Sequence, residues 1–132
     1  MLNPFPDLLV LSFFAPALIR AGAGVMFLYI AYAHAKRRDE IEKIPFPLIG
    51  ASGRVVALSC ALHVFVGGML IFGYHTQVTA ILGLVVFAKS LIIKNRYPAL
   101  VPLDRPALFL LIVMCLSLLL TGAGALAYDL PL

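Results

Sequence analysis

Residues 54–93 read RVVALSCALHVFVGGMLIFGYHTQVTAILGLVVFAKSLII, and this stretch decides the fold class. Arg54 to Phe72 is an apolar run with His63 near its middle. Gly73 follows, a residue suited to closing a helix in the left-handed conformation. Tyr74-His75-Thr76-Gln77 is a tight polar turn, and Val78 to Ile93 is apolar again except for Lys89 near its end. About 20 apolar residues cross the hydrocarbon of a bilayer as a helix. Two runs of nearly that length, joined by so short a link, predict an antiparallel pair of membrane helices.

The same reading extends to both sides. Leu8 to Ala35 is apolar apart from Ser12 and Arg20, and Pro16 divides it. Proline favours the first turn of a helix, so a helix is expected at about 16–35. Leu8–Phe14 is then a short interfacial or re-entrant piece; the alternative is one longer, tilted and kinked helix. Lys36 to Lys43 is strongly charged and reads as a solvated loop or a short surface helix, ended by Pro45 and Pro47. Lys94-Asn95-Arg96-Tyr97-Pro98 opens a second basic connection, which Pro98, Pro102 and Pro106 should keep extended. A last helix is expected at about 106–121, closed by Gly122-Ala123-Gly124, before a tail that carries Tyr128 and Asp129. The expectation is all-α: an integral membrane four-helix bundle forming one domain over residues 1–132, with helices at about 16–35, 54–72, 78–93 and 106–121.

Composition agrees with a membrane location. Of the 132 residues 63% are hydrophobic and 12% charged, against about 45–50% and 25% in soluble domains. So small a domain leaves much of its surface exposed, and the excess apolar surface must face lipid. The net charge of +4 does not point to nucleic acid. Lys36, Arg37, Arg38, Lys43 and Arg54 lie on the first connection, and Lys89, Lys94, Arg96 and Arg105 on the third; the second has none. Loops rich in lysine and arginine stay in the cytoplasm, so both termini are expected on the outer side of the membrane. Met1 to Asp7 has no basic segment and is not expected to be a removable signal.

Ionisable groups inside a membrane are costly and are functional candidates by default. Lys89 is expected to snorkel to the head groups, and His34 to sit in the interface beside Lys36. His63 is either a neutral histidine bonded to a neighbouring helix or part of a quinone, haem or proton site. A haem between His34 and His63 is disfavoured, because their positions differ in depth by roughly 13 Å at helical rise. Cys60 and Cys115 read as small buried hydrophobes; no metal spacing exists, and no bound metal is expected. Ala21, Gly22, Ala23 and Gly24, Ala57 and Ala61, Gly67 and Gly68, and Gly83 read as packing residues that let helices approach closely. Arg20 lies about 6 Å inside its helix and must be solvated. Lipid phosphate and Asp129, the only acid on that side besides Asp7, are its two candidate partners. A small pocket is expected beside Arg20.

Three stretches together carry a family likeness: Arg20 to Leu28; Val66-Gly67-Gly68-Met69-Leu70-Ile71-Phe72-Gly73-Tyr74-His75-Thr76; and Leu119-Leu120-Thr121-Gly122-Ala123-Gly124-Ala125-Leu126-Ala127-Tyr128-Asp129. In this order the chain resembles the DoxX family of small bacterial membrane proteins. The resemblance implies a four-helix protein of the bacterial inner (plasma) membrane, its outer side periplasmic, acting as an accessory subunit of a membrane-bound, quinone-linked redox system, not catalytic alone, with other membrane subunits or further copies of itself as partners. No cofactor is predicted apart from a quinone. Arg20, Asp129 and Tyr128 are the outer-side candidates and His63 the intramembrane one. The alternatives are a purely structural or assembly subunit and, further off, a small-molecule transporter.

Overall fold

The computed structural model describes residues 11–42 and 53–128. Its elements are α1 (Ala15–Lys36), α2 (Arg38–Ile41), α3 (Gly53–Phe72), α4 (Thr76–Ile93) and α5 (Arg105–Thr121), with a 3₁₀ turn at Pro98–Leu100. No strand occurs among the described residues.

Local chemistry sets the ends of these elements. Pro16 and Pro106 sit in the first turns of α1 and α5, where the missing N–H costs nothing. Residues 11–14 form a 3₁₀ turn that runs directly into α1, so the described part of the 8–14 segment continues the helix and makes no re-entrant turn. The charged run does contain a short helix, α2, over which Arg38 pairs with Glu42 at 2.6 Å. The bond to Glu42 raises the already high pKa of the exposed Arg38 guanidinium. α3 ends in a Schellman motif: Gly73 has φ 67°, its N–H reaches Leu70 O at 3.2 Å, and the Tyr74 N–H reaches Met69 O at 3.0 Å. α4 starts at Thr76, two residues earlier than expected, because His75 takes the left-handed conformation and Thr79 N–H already bonds His75 O at 2.9 Å. The proline-rich connection before α5 is not wholly extended, since it holds the 3₁₀ turn.

α1 packs most extensively on α3, and α4 on α5; α1 also meets α5, and α3 meets α4. Phe27 and Phe87 lie at the centre with ring centroids 4.5 Å apart, among Ala23, Leu70, Ala80, Leu108, Cys115 and Leu118. Closest approach is made at glycine. A Cβ at Gly67 would stand 3.0 Å from Gly24 O and 3.0 Å from Phe27 Cβ, and one at Gly83 3.0 Å from Cys115 Sγ. Gly68, expected to pack as Gly67 does, instead faces open space. Both cysteines are free; Cys60 lies 3.6 Å from Ala31 O, and Cys115 is fully buried.

The outer surfaces of the long helices are apolar: Leu18, Leu58, Phe72, Ile92, Phe109 and Leu120 all project outward. Residues 11–36 and 76–93 are each long and apolar enough to cross a membrane; 56–72 and 105–121 are apolar and shorter. Helices without a polar face belong in a large core or in lipid, and these support a membrane protein. The chain has two distinct ends. At one, the basic end, α1 and α4 finish and α3 and α5 begin. At the other, the tail end, Arg20, the α3–α4 turn and residues 122–128 meet.

Candidate functional site

Arg20 organises the tail end. It is 3% exposed. Its Nη1 donates to Ala123 O at 2.8 Å and its Nη2 to Leu126 O at 3.0 Å. Two main-chain bonds reinforce the attachment: the Ala125 N–H to Phe13 O and the Tyr128 N–H to Phe72 O, each 3.3 Å. Residues 122–128 are thereby tied to the start of α1 and the end of α3. The tail bends sharply to do this, with positive φ at Gly122, Gly124 and Leu126. A Cβ at Gly124 would stand 2.7 Å from Pro16 Cβ, so only glycine admits the tail this close to α1. Gly73 is equally constrained, for any side chain there meets the Arg20 guanidinium and Ala127. The Arg20 Nε atom is buried and has no hydrogen-bond partner among the described residues. Asp129, the acid expected opposite Arg20, lies outside the described residues; what the structure places there are tail carbonyls.

Beside this knot is a groove of about 620 Å³, lined by Val64, Phe65, Gly68, Met69, Phe72, Tyr74 and Tyr128. Its floor is the outward face of α3, left open by Gly68, and its rim is the Tyr74–Tyr128 pair, with ring centroids 5.9 Å apart. The sequence pointed to a small pocket between the helices near Arg20, with room left by the glycines and alanines of α1. That space is filled instead, since a Cβ at Gly24 would meet Ile71 at 2.7 Å and Gly67 O at 2.9 Å. Of the outer-side candidates, Tyr128 lines the groove and Arg20 lies behind it. Tyr74, read in the sequence only as part of a polar turn, lines it as well.

The second polar cluster lies between α1 and α3 toward the basic end. His34 and His63 are both buried, with rings edge to face at a centroid distance of 5.2 Å. His34 Nε2–H donates to Leu100 O at 2.8 Å, and Ser59 Oγ donates to His34 Nδ1 at 3.3 Å. His63 Nδ1–H donates to Ser59 O at 2.7 Å, one turn back on its own helix. These partners fit the neutral Nε2–H tautomer at His34 and the neutral Nδ1–H tautomer at His63. His34 is buried, and among the described residues the His63 ring bonds its own helix, not a neighbouring one. One expectation is corrected here: the two rings do not lie far apart in depth. The cause is that helical side chains lean toward the N-terminus of their own helix. α1 and α3 are antiparallel, so His34 leans inward from the basic end, His63 leans toward it, and the two close the gap that the backbone positions imply. Ser59, four residues before His63, was the overlooked member; that spacing puts both on one helix face.

The described residues contain no cluster of three or more His, Cys, Asp and Glu able to hold a metal. No family model, no curated protein and no solved structure matches this chain. The groove offers apolar walls and two phenols, suited to a flat lipophilic molecule whose polar edge accepts hydrogen bonds. The histidine cluster offers two neutral rings and a hydroxyl, able to accept or pass protons.

Proposed function

We propose that the chain is a DoxX-like multi-pass protein of the bacterial inner membrane. In this reading α1, α3, α4 and α5 cross the bilayer as a four-helix bundle with both termini outside, and the protein serves as an accessory subunit of a quinone-linked redox system. The observation that carries the reading is the groove on α3. It is apolar, it opens toward the surface that would face lipid, and the Tyr74 and Tyr128 phenols border its end nearest the water.

The residues present fit a quinone. Val64, Phe65, Met69 and Phe72 would hold the ring and the first part of its tail, and the phenols would donate to a ring oxygen. A bound quinone supplies transport of electrons and protons within the membrane. The chain's own part is to position the head group and to keep it at the depth of the tyrosines. Arg20 acts at one remove, by holding the tail that carries Tyr128.

The test uses Gly68. Leucine at this position fills the groove without touching the core, because nothing lies within 4 Å of the added Cβ. Protein purified in detergent from native membranes should yield quinone on solvent extraction. Gly68→Leu should retain at least about tenfold less, a loss of roughly 1.4 kcal/mol in binding, at unchanged thermal stability. Quinone absent from the wild type, or retained equally by Gly68→Leu, overturns the assignment. Orientation is tested separately: a reporter active only in the periplasm, fused after Leu132, should give signal, and one active only in the cytoplasm should not. The reverse result inverts the topology.

A further inference from the structure

At the basic end, a cavity of about 350 Å³ lies in the corner between α1, α2 and the α4–α5 connection, lined by Tyr29, Tyr32, Lys36, Arg37, Glu40 and Pro102 among others. Tyr29, Tyr32 and Lys36 follow one another at three- and four-residue spacing and so share one face of α1. Arg37 stands at the break between α1 and α2, its N–H bonded to Ala33 O at 3.0 Å, and the Glu40 N–H reaches back to Arg37 O at 3.1 Å. These bonds fold α2 over the end of α1 and bring Arg37 and Glu40 above the tyrosines.

We propose that this corner binds the head group of an anionic, hydroxyl-bearing phospholipid of the phosphatidylglycerol class. Three observations converge on that chemistry. The first is depth. Tyr32 and Lys36 are separated by roughly 6 Å along the helix at 1.5 Å per residue, which matches the polar zone of one leaflet, about 5–7 Å thick; Tyr29 lies about one turn deeper. The cations therefore lie at phosphate level when the Tyr32 phenol lies at the glycerol and ester level and Tyr29 borders the first part of the acyl chains.

The second is charge. The ion pairs among the described residues are Arg38–Glu42 and Lys94–Asp104, and Lys36, Arg37 and Glu40 belong to neither. Two cations and one carboxylate leave a single net positive charge, which a monoanionic head group neutralises. The third is the carboxylate itself. Glu40 repels a doubly charged phosphate and accepts hydrogen bonds from the hydroxyls of a glycerol head. Basic segments at a membrane surface attract anionic lipid in general; here the tyrosine pair and Glu40 give the attraction a defined seat.

The inference rests on the membrane reading, so the experiment begins by separating the two. Membranes from expressing cells are washed with carbonate. Release of the full chain into the wash overturns the membrane reading and the lipid site with it; retention leaves the lipid site to the following measurements. The detergent-solubilised chain is then titrated with phosphatidylglycerol, phosphatidylcholine of the same acyl chains, and inorganic phosphate, with thermal unfolding as the readout. Phosphatidylglycerol should raise the unfolding temperature saturably, and the other two should not. Lys36→Gln/Arg37→Gln and Tyr29→Phe/Tyr32→Phe should each weaken the midpoint about tenfold, while Arg96→Gln, a cation outside the corner, should leave it unchanged. Equal stabilisation by phosphatidylcholine means a general lipid effect, and stabilisation by phosphate means a bare anion site. Equal weakening by Arg96→Gln means unspecific charge. Each of these overturns the proposal.

Discussion

Replacing Arg20 with methionine should free the tail and lower the stability of the protein by about 3 kcal/mol. The guanidinium makes two bonds to main-chain carbonyls, Ala123 O at 2.8 Å and Leu126 O at 3.0 Å. Bonds from a charged donor contribute about 1.5–3 kcal/mol each. Against their sum stands the cost of burying the charge, with Nε left unbonded, so the net effect lies well below the total. Methionine keeps much of the volume and removes the donors. Arg20→Lys should fall in between, because an ammonium lacks the planar fork that reaches two carbonyls at once. Thermal unfolding in detergent measures the loss, and protease cleavage within residues 122–128 reports the release directly. If the carbonyl bonds hold the tail, Asp129→Asn should leave cleavage near the wild-type rate. A tail as resistant in Arg20→Met as in the wild type would show that the arginine does not fasten it.

The second large effect is expected at Gly67, and its neighbour supplies the control. Valine at Gly67 drives side-chain atoms into Gly24 O and Phe27 Cβ, each already 3.0 Å from the first added carbon. One of these obstacles is backbone and cannot turn aside, so α1 and α3 must separate. Overpacking a tight core costs about 1–3 kcal/mol and occasionally more, and Gly67→Val belongs at the upper end. Gly68→Ala meets nothing within 4 Å. It should be neutral or stabilising by up to about 1 kcal/mol, since alanine favours a helix over glycine. Paired unfolding curves decide the matter: similar losses at both positions would mean that the α1–α3 contact does not run through Gly67.

This pair also shows what the sequence could and could not reveal. Residues whose backbone demands are local were legible. Pro16 and Pro106 marked the first turns of α1 and α5, Gly73 marked the end of α3, and the run from Lys36 to Lys43 contained a short helix. Facing was not legible. A helix that is apolar all round has no stripe to say which side meets a neighbour, so Gly67 and Gly68 looked alike although one is packed and the other lines the groove. His34 and His63 were misjudged for a related reason: helical rise locates backbones, whereas their contact depends on the direction in which side chains lean. Arg20 was recognised as needing a partner, and opposite charge pointed to Asp129, whereas its acceptors among the described residues are main-chain carbonyls, which every residue possesses. The groove was missed because it opens on the side of α3 away from α1, where no charged residue marks it.

The attachment of Arg20 bears on how the protein is made. Its acceptors Ala123 and Leu126 follow it by 103 and 106 residues. During synthesis α1 leaves the ribosome long before either exists. If α1 is threaded into a bilayer at that stage, it carries a guanidinium that must reach for lipid phosphate or water, an arrangement that disfavours deep insertion. The arginine can settle only when α5 has been delivered and the chain has turned back over it. Synthesis of residues 123–126 is thus coupled to the seating of α1. A chain stalled before α5 would present an exposed cation at the membrane surface, a mark that copies with the tail in place lack.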